Sequence, residues 1–291
     1  MDEEVRLAER FEEHRSRLRA VAYRMLGSMA EADDAVQDSW LRLRGVDAEQ
    51  IDNLGGWLTT VVARICLNVL RSRRNHPHEP LEVHVPDPVI DRPDGVEPEH
   101  EALLADAIGL ALMTVLQTLP PAERLALVLH DSFAVPFEEI ATILDRSPAA
   151  TRQLASRARR KVQGSPTTPE PDQARQREVV DAYFAASRRG DFAALVALLD
   201  PDVVQRTDTG QPGTSSVLRG AQAVADNALA YSSGARWTRP ALVNGAAGVV
   251  IAPHGQPVAV LAFTVADGRI VAIEALADPA RVQRLDLAVL D

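Results

Sequence analysis

Residues 136–161 read PFEEIATILDRSPAATRQLASRARRK, and the rest of the chain is best understood outward from them. Phe137, Ile140, Ala141 and Leu144 recur at helical spacing and define one short helix. Asp145-Arg146 turns the chain, and Ser147 is placed to cap a second helix with Pro148 at its first position. That second helix carries Arg152, Arg157, Arg159, Arg160 and Lys161, with no acid from Ser147 to Lys161. Leu154, Ala158 and Val162, spaced by four, are expected to bury it against the first helix, leaving Thr151, Arg152, Gln153, Ser156 and Arg160 on the open side. A short helix, a three-residue turn and a basic second helix have helix–turn–helix anatomy. Arg and Gln make bidentate contacts with guanine and adenine edges, so the pair reads as a DNA-binding unit. The competing reading, a basic solvated helix in a bundle, leaves the acid-free helix without a purpose.

The charge of the whole chain points the other way. The 291 residues hold 31 basic and 41 acidic groups, a net charge of −10. The deficit is local, because residues 76–106 carry 1 basic and 9 acidic groups. Local charge therefore decides, and it leaves the helix pair free to meet a polyanion. The 46% hydrophobic content is globular and the length suits two or three domains. No apolar run approaches the roughly 20 residues of a membrane span, and the acidic start MDEEVRLAER is no signal peptide, so a cytoplasmic protein is expected. The single cysteine, Cys66, allows neither an internal disulfide nor a Cys-based zinc cluster.

Three helices precede the acidic stretch. The first covers 5–26 and stops at Gly27; Ser28 with Glu31 has the spacing of a capping box for the second, which runs to about Arg44. A loop from Gly45 to Gly56 leads to a third helix, Trp57 to Arg74, with Leu58, Val61, Val62, Ile65, Val69 and Leu70 on its apolar side. Asn75 to Pro98 holds six prolines and one arginine, too much proline for a helix. Its stretch Leu81-Glu82-Val83-His84-Val85-Pro86-Asp87-Pro88-Val89-Ile90 is too aliphatic for a plain spacer and is expected to dock. Helical pattern returns over 99–118 and again from Pro120-Pro121 to about His130. Beyond the helix pair, Gly164 to Pro171 is a second linker. Helices near 174–189, 191–199 and 220–231 then precede β-rich runs at 240–244, 247–252, 257–266 and 269–276, with Asp267-Gly268 as a hairpin turn. The expected domains are 1–75, 99–163 and 174–291, joined by linkers 76–98 and 164–173: two all-α domains and a C-terminal α+β cone.

Two further helical faces carry chemistry. Asp33, Asp34, Gln37 and Asp38 form a carboxylate and amide ridge on the second helix, which suits a basic partner helix or a plain solvated face. Arg64, Asn68 and Arg71 fall at i, i+4 and i+7 on the third, with Arg73 and Arg74 just beyond. Such a face suits a phosphate backbone and base edges together. Trp57 at its start is either a stacking platform for an unstacked base or a core tryptophan.

The stretch Ala32-Asp33-Asp34-Ala35-Val36-Gln37-Asp38-Ser39-Trp40, followed by Gly56-Trp57-Leu58-Thr59-Thr60-Val61-Val62-Ala63-Arg64, resembles region 2 of extracytoplasmic-function (ECF) sigma factors. Leu129 to Ile140 and Gln153 to Arg159 resemble their region 4. The chain as a whole is similar to the SigJ-type subgroup, whose members carry a C-terminal SnoaL-like (NTF2-like) domain. The resemblance implies a promoter-specificity factor with core RNA polymerase and promoter DNA as partners. Asp33, Asp34, Gln37 and Asp38 would dock on the polymerase clamp helices. Asn53, in the loop that would hold a flipped-out −10 base, would act there with Trp57, Arg64, Asn68 and Arg71. Thr151, Arg152, Gln153, Ser156, Arg157 and Arg160 would read the −35 element. The acidic linker would thread toward the active-site cleft.

Three regulatory segments of the subgroup map here in altered form. A Trp-Leu-Pro-Glu-Pro signature corresponds to Val83-His84-Val85-Pro86-Asp87-Pro88, a Gly-rich Asp motif to Asp208-Thr209-Gly210-Gln211-Pro212, and an Asn-Pro-Asp-Lys motif to Ala277-Asp278-Pro279-Ala280. The resemblance therefore marks Pro86, Asp87, Pro88, Asp208, Gly210, Asp278 and Pro279 as regulatory segments, linked to control by the C-terminal domain, which is expected to contact the sigma domains within the chain. Some SnoaL-like relatives are acid–base enzymes, and Asp208, His254, Glu274 and Arg206 are the corresponding candidates. A domain without turnover is the expectation, with no catalytic residue, no metal and no cofactor, since fold does not imply activity. NTF2-like cones often dimerise through a sheet face, which the fused domains could occupy instead. The rival to a regulated sigma factor is a SnoaL-type small-molecule sensor or enzyme with a DNA-binding module attached.

Overall fold

The computed structural model describes residues 2–75, 84–93, 95, 109–163, 172–211 and 213–287. Residues 99–108 of the expected helical stretch, the linker residues 76–83 and the 164–171 segment lie outside the described residues. The chain divides into two compact units. The first gathers 2–75 with 116–162; the second gathers 84–95, 109–115 and 172–287.

The first unit opens with α1 (Asp2–Leu26), α2 (Met29–Leu43) and α3 (Leu54–Asn75). Gly27 ends α1 at φ +74°, a conformation that costs glycine nothing, and its N–H returns to Tyr23 O. The capping box expected after it does not form. Ser28 makes no side-chain cap bond, and the Glu31 carboxylate is taken by Arg73. The third helix begins three residues before the expected Trp57, because the Asn53 side chain accepts the Gly56 N–H at 3.0 Å and caps it. Leu18, Met25, Leu26, Leu43, Leu58 and Leu67 fill the space between the three helices. Burial pushes the Cys66 thiol up to about 12, as befits a core residue.

Next along the chain come α4 (Leu110–Thr118), whose residues up to Val115 belong to the second unit, α5 (Pro121–Leu127) running into a π-turn (Val128–Ser132), α6 (Phe137–Leu144) and α7 (Pro148–Gln163). Asp145 turns the chain in the left-handed region at φ +54°, and Ser147 Oγ accepts the Ala150 N–H at 3.2 Å. The buried side of α7 is not the expected one. Thr151, Ala155 and Ala158 are its buried residues, while Leu154 and Val162 are only half-buried. Within this unit Arg124 joins the two halves, its Nη1 donating to Met25 O at 2.7 Å where α1 ends. Burial first, and then the neighbouring charge of Arg73, hold its guanidinium down at about 9.

The second unit is a mixed sheet with helices packed against it. Its elements are α8 (Gln173–Arg189), α9 (Phe192–Leu198), β2 (Leu199–Asp208), β3 (Ser216–Arg219), α10 (Ala221–Ala230), β4 (Thr238–Val243), β5 (Ala246–Ile251), β6 (Ala259–Ala266), β7 (Arg269–Leu276) and α11 (Pro279–Val282). One more strand, β1 (Ile90–Asp91), comes from the linker, giving the order β1-β4-β5-β6-β7-β2-β3. Pairing is antiparallel throughout except between β2 and β7. Asp267-Gly268 closes β6 onto β7 with both φ positive, the twist-matched hairpin turn its composition predicts. Under the helices, Tyr183, Phe184 and Phe263 meet edge to face, with centroids 5.4–5.7 Å apart.

Candidate functional site

On α2 the residues Ala32, Ala35, Val36, Ser39 and Leu43 are buried, which turns Asp33, Asp34, Gln37 and Asp38 outward as one exposed ridge. Arg19 Nε holds Asp33 at 2.6 Å. Beside the ridge lies a cleft of about 290 Å³ lined by Phe11, Val36, Gln37 and Trp40, with the Phe11 and Trp40 rings 5.1 Å apart. A partner helix bearing both cations and apolar side chains would meet acid and groove together.

On α3, Arg64, Asn68 and Arg71 are exposed along one side, opposite buried Val61, Val62, Ile65 and Leu70. Trp57 is half-buried. Asn53 has a structural task as the helix cap, yet its side chain is exposed. It also lines a cleft of about 300 Å³ with His14 and Gly56, closed on the far side by Phe133 and Pro136.

On α7, Arg152, Gln153, Ser156, Arg157 and Arg160 are exposed as expected. Thr151 is not: it has no exposed surface, and its hydroxyl bonds back to Ser147 O at 3.1 Å. A base contact from Thr151 is therefore excluded, because the side chain is fully buried and its hydroxyl is committed to Ser147 O. Arg152 donates to Glu138 at 2.8 Å and lies over the Phe137 ring. Arg159, which sequence reasoning set apart from the readers, is held by Asp131 through both Nε and Nη2. That hydrogen-bonded pairing raises its pKa further, in keeping with an anchoring role.

The seven residues marked on three distant segments come together in the second unit. Asp208, 2% exposed, is the centre. Its Oδ2 accepts the Val85 N–H at 3.0 Å and Arg281 Nη1 at 2.8 Å, and lies 3.2 Å from His84 Nδ1; Oδ1 accepts the Gly210 N–H. Burial raises the carboxyl pKa, but His84, Gly210, Val85 and Arg281 outweigh it and bring it down to about 2. Arg281 also donates to Asp87 Oδ1 and to Val85 O. Asp278 caps α11, with Pro279 at its first position, and so aims Arg281 at the linker. Gly210 sits at φ +69°, where a Cβ would strike the Asp278 carboxylate. Past buried Pro86 and Pro88, Val89 exchanges two hydrogen bonds with Asn244, and β1 pairs with β4. The aliphatic linker does dock, on the sheet of its own chain. Sequence reasoning missed Arg281, although a lone cation after Asp278-Pro279 is what two buried acids require.

The acid–base candidates separate. Arg206 and Glu274 are register partners on β2 and β7, with Arg206 Nη1 3.0 Å from Glu274 Oε1. Glu274 is 1% exposed, and burial pushes its carboxyl up to about 7 against the pull of Arg206. His254 stands apart, exposed in a turn and against Trp237. Among the described residues no cluster of His, Cys, Asp or Glu could hold a metal, and no helix is long and apolar enough to cross a membrane.

Comparison with known proteins matches residues 10–76 to sigma-70 region 2 and residues 109–162 to sigma-70 region 4. The chain is 38% identical to the ECF RNA polymerase sigma factor SigJ of Mycobacterium tuberculosis, over 92% of this chain and 91% of that one. It is 33% identical to the probable ECF sigma factor SigI of the same organism, over 94% and 93%. The crystal structure of M. tuberculosis SigJ superposes with a TM-score of 0.78 at 36% identity, covering 96% of this chain and 99% of the other.

Proposed function

Given that this chain belongs to the ECF sigma factors of RNA polymerase, we propose how its surfaces divide the work of initiation. The ridge of Asp33, Asp34, Gln37 and Asp38, with the Phe11–Trp40 groove beside it, docks on core polymerase. Arg64, Asn68 and Arg71 hold the phosphates and base edges of the −10 element, with Asn53 and Trp57 at the point where a base leaves the stack. Arg152, Gln153, Ser156, Arg157 and Arg160 enter the major groove at the −35 element. The C-terminal domain controls the availability of these surfaces by gripping the linker through Asp208 and Arg281, and it performs no chemistry of its own. The aromatic cluster of Tyr183, Phe184 and Phe263 in its core and the engagement of Asp208 with the linker support that reading over a small-molecule sensor or enzyme. The observation that carries the proposal is the simultaneous exposure of the α2 ridge and the α3 and α7 polar faces, each backed by a buried apolar side.

Retention of core RNA polymerase by the full-length chain tests the docking surface. Asp34→Arg places a cation in the acidic ridge and is expected to lower retention at least about tenfold. Equal retention by wild type and variant would remove α2 from the polymerase interface. Arg281→Gln tests the grip on the linker, with altered promoter-directed transcription expected at unchanged polymerase retention.

A further inference from the structure

Helix α4 opens the region 4 match, yet its residues up to Val115 group with the C-terminal sheet, while Leu116 onward groups with the first unit. Leu110, Ala111, Met113 and Thr114 are all at most 4% exposed. One polar side chain in this apolar stretch is fully buried. The Thr114 hydroxyl donates to Leu110 O at 3.0 Å and also lies against the carboxylate of Glu274; turned toward that carboxylate it would favour the charged form, a pull that burial outweighs. Glu274 Oε1 is held by Arg206, but Oε2 is buried without a hydrogen-bond partner. A buried carboxylate oxygen left in that state is costly unless it carries a proton. The Thr114 hydroxyl has one proton, already committed to Leu110 O, and two lone pairs to offer. A protonated Oε2 can donate to it, making a continuous chain from Glu274 through Thr114 to Leu110 O.

We propose that Glu274 and Thr114 form a clasp that holds the first helix of region 4 on the C-terminal sheet, and that loss of a proton from Glu274 opens it. The charged surroundings are simple. Arg206 faces Glu274 from β2, and Ala262 is its register partner on β6. Neither β6 nor residues 110–115 carry an ionisable side chain. Further along the same face of β2 lies Asp208 with His84, Asp87 and Arg281, a network closed on itself. Undocking α4 returns water to Glu274 and lets its pKa fall from about 7 toward the ordinary range. Docking is then coupled to proton uptake, and its equilibrium constant falls about tenfold from pH 6 to pH 8. Thr114 and Glu274 thus become positioning residues for region 4, a role that rests on the sigma-factor reading of that helix.

Amide hydrogen exchange over residues 110–115 of the full-length protein tests the clasp, after correction for the base-catalysed rise in intrinsic exchange. Wild-type protection is expected to fall about tenfold from pH 6 to pH 8. Glu274→Gln, which mimics the neutral acid, is expected to keep its protection across that range, and Thr114→Val to lose protection at pH 6. A Glu274→Gln profile that falls as steeply as wild type overturns the proposal. Promoter-directed transcription at pH 8 separates the clasp from its use: Glu274→Gln is expected to be less active than wild type. Altered exchange with unchanged transcription would leave the clasp standing and refute its role in releasing region 4.

Discussion

Asp208 and Glu274 lie on adjacent strands of one sheet, both almost fully buried and each touching an arginine, yet their protons are held in opposite ways. Asp208 collects donors on both oxygens, from Val85, Arg281, His84 and Gly210, and stays ionised down to about pH 2. Glu274 has one oxygen on Arg206 and beside the other only the Thr114 hydroxyl, already committed to Leu110 O, and gives up its proton only near pH 7. Burial is common to both, so the number of partners decides the sign. Where the linker supplies donors, the sheet keeps a permanent charge. Where an apolar stretch of helix, Leu110 to Val115, covers it with Thr114 as its one hydroxyl, the sheet keeps a proton.

Removing Arg281 attacks the well-partnered site directly. Arg281→Ala strips Asp208 and Asp87 of their shared cation and is expected to destabilise the C-terminal domain by about 3–5 kcal/mol in denaturant unfolding. The pH dependence of the half-partnered site comes next. The folded pKa of Glu274 lies above its unfolded value near 4.5, so its contribution is fully present below that value and is lost as pH rises through about 7. Wild type should lose about 2–3 kcal/mol relative to Glu274→Gln between pH 5 and pH 8, as read from paired unfolding curves. Asp208 has the reverse sign. Its folded pKa is depressed, so about 2 kcal/mol of stability is present above pH 4 and is lost as pH falls toward 2, a loss that Asp208→Asn should not show. The smallest effect on stability belongs to an exposed pair. Arg152 and Glu138 have side chains 55% and 63% exposed, so Arg152→Ala should change stability by less than about 1 kcal/mol. The same variant should relax discrimination at one −35 base pair by about 1–3 kcal/mol, measured on promoter variants.

The comparison also marks what a reader of sequence can reach. The helices of regions 2 and 4 were legible because their apolar period is long and their turns are explicit at Gly27 and Asp145. Choosing Leu154 over Ala155 as the buried residue followed hydrophobicity, whereas the side of α7 that is buried carries the small side chains Thr151, Ala155 and Ala158. Strands β2 and β3 went unseen because Asp200-Pro201-Asp202 and the charged Arg206 and Asp208 break the strand pattern. Their charges are tolerated only through partners on distant segments. The linker's aliphatics signalled docking correctly, but nothing local to residues 81–90 could say that β4, Asn244 and Arg281 receive it. Glu274, flanked by apolar residues on a strand, carried a signal of its own: a lone acid where none is cheap.

The linker's grip has a consequence in time. Val85 and Arg281 are 196 residues apart in the chain, and β7, against which Asp208 is paired, is the last strand to be made. At synthesis rates of about 5–20 residues per second, roughly 6–24 s separate the emergence of the complete region 4 from that of Arg281. Each newborn molecule therefore spends an interval with both promoter-reading domains made and the clamp on its linker still unwritten.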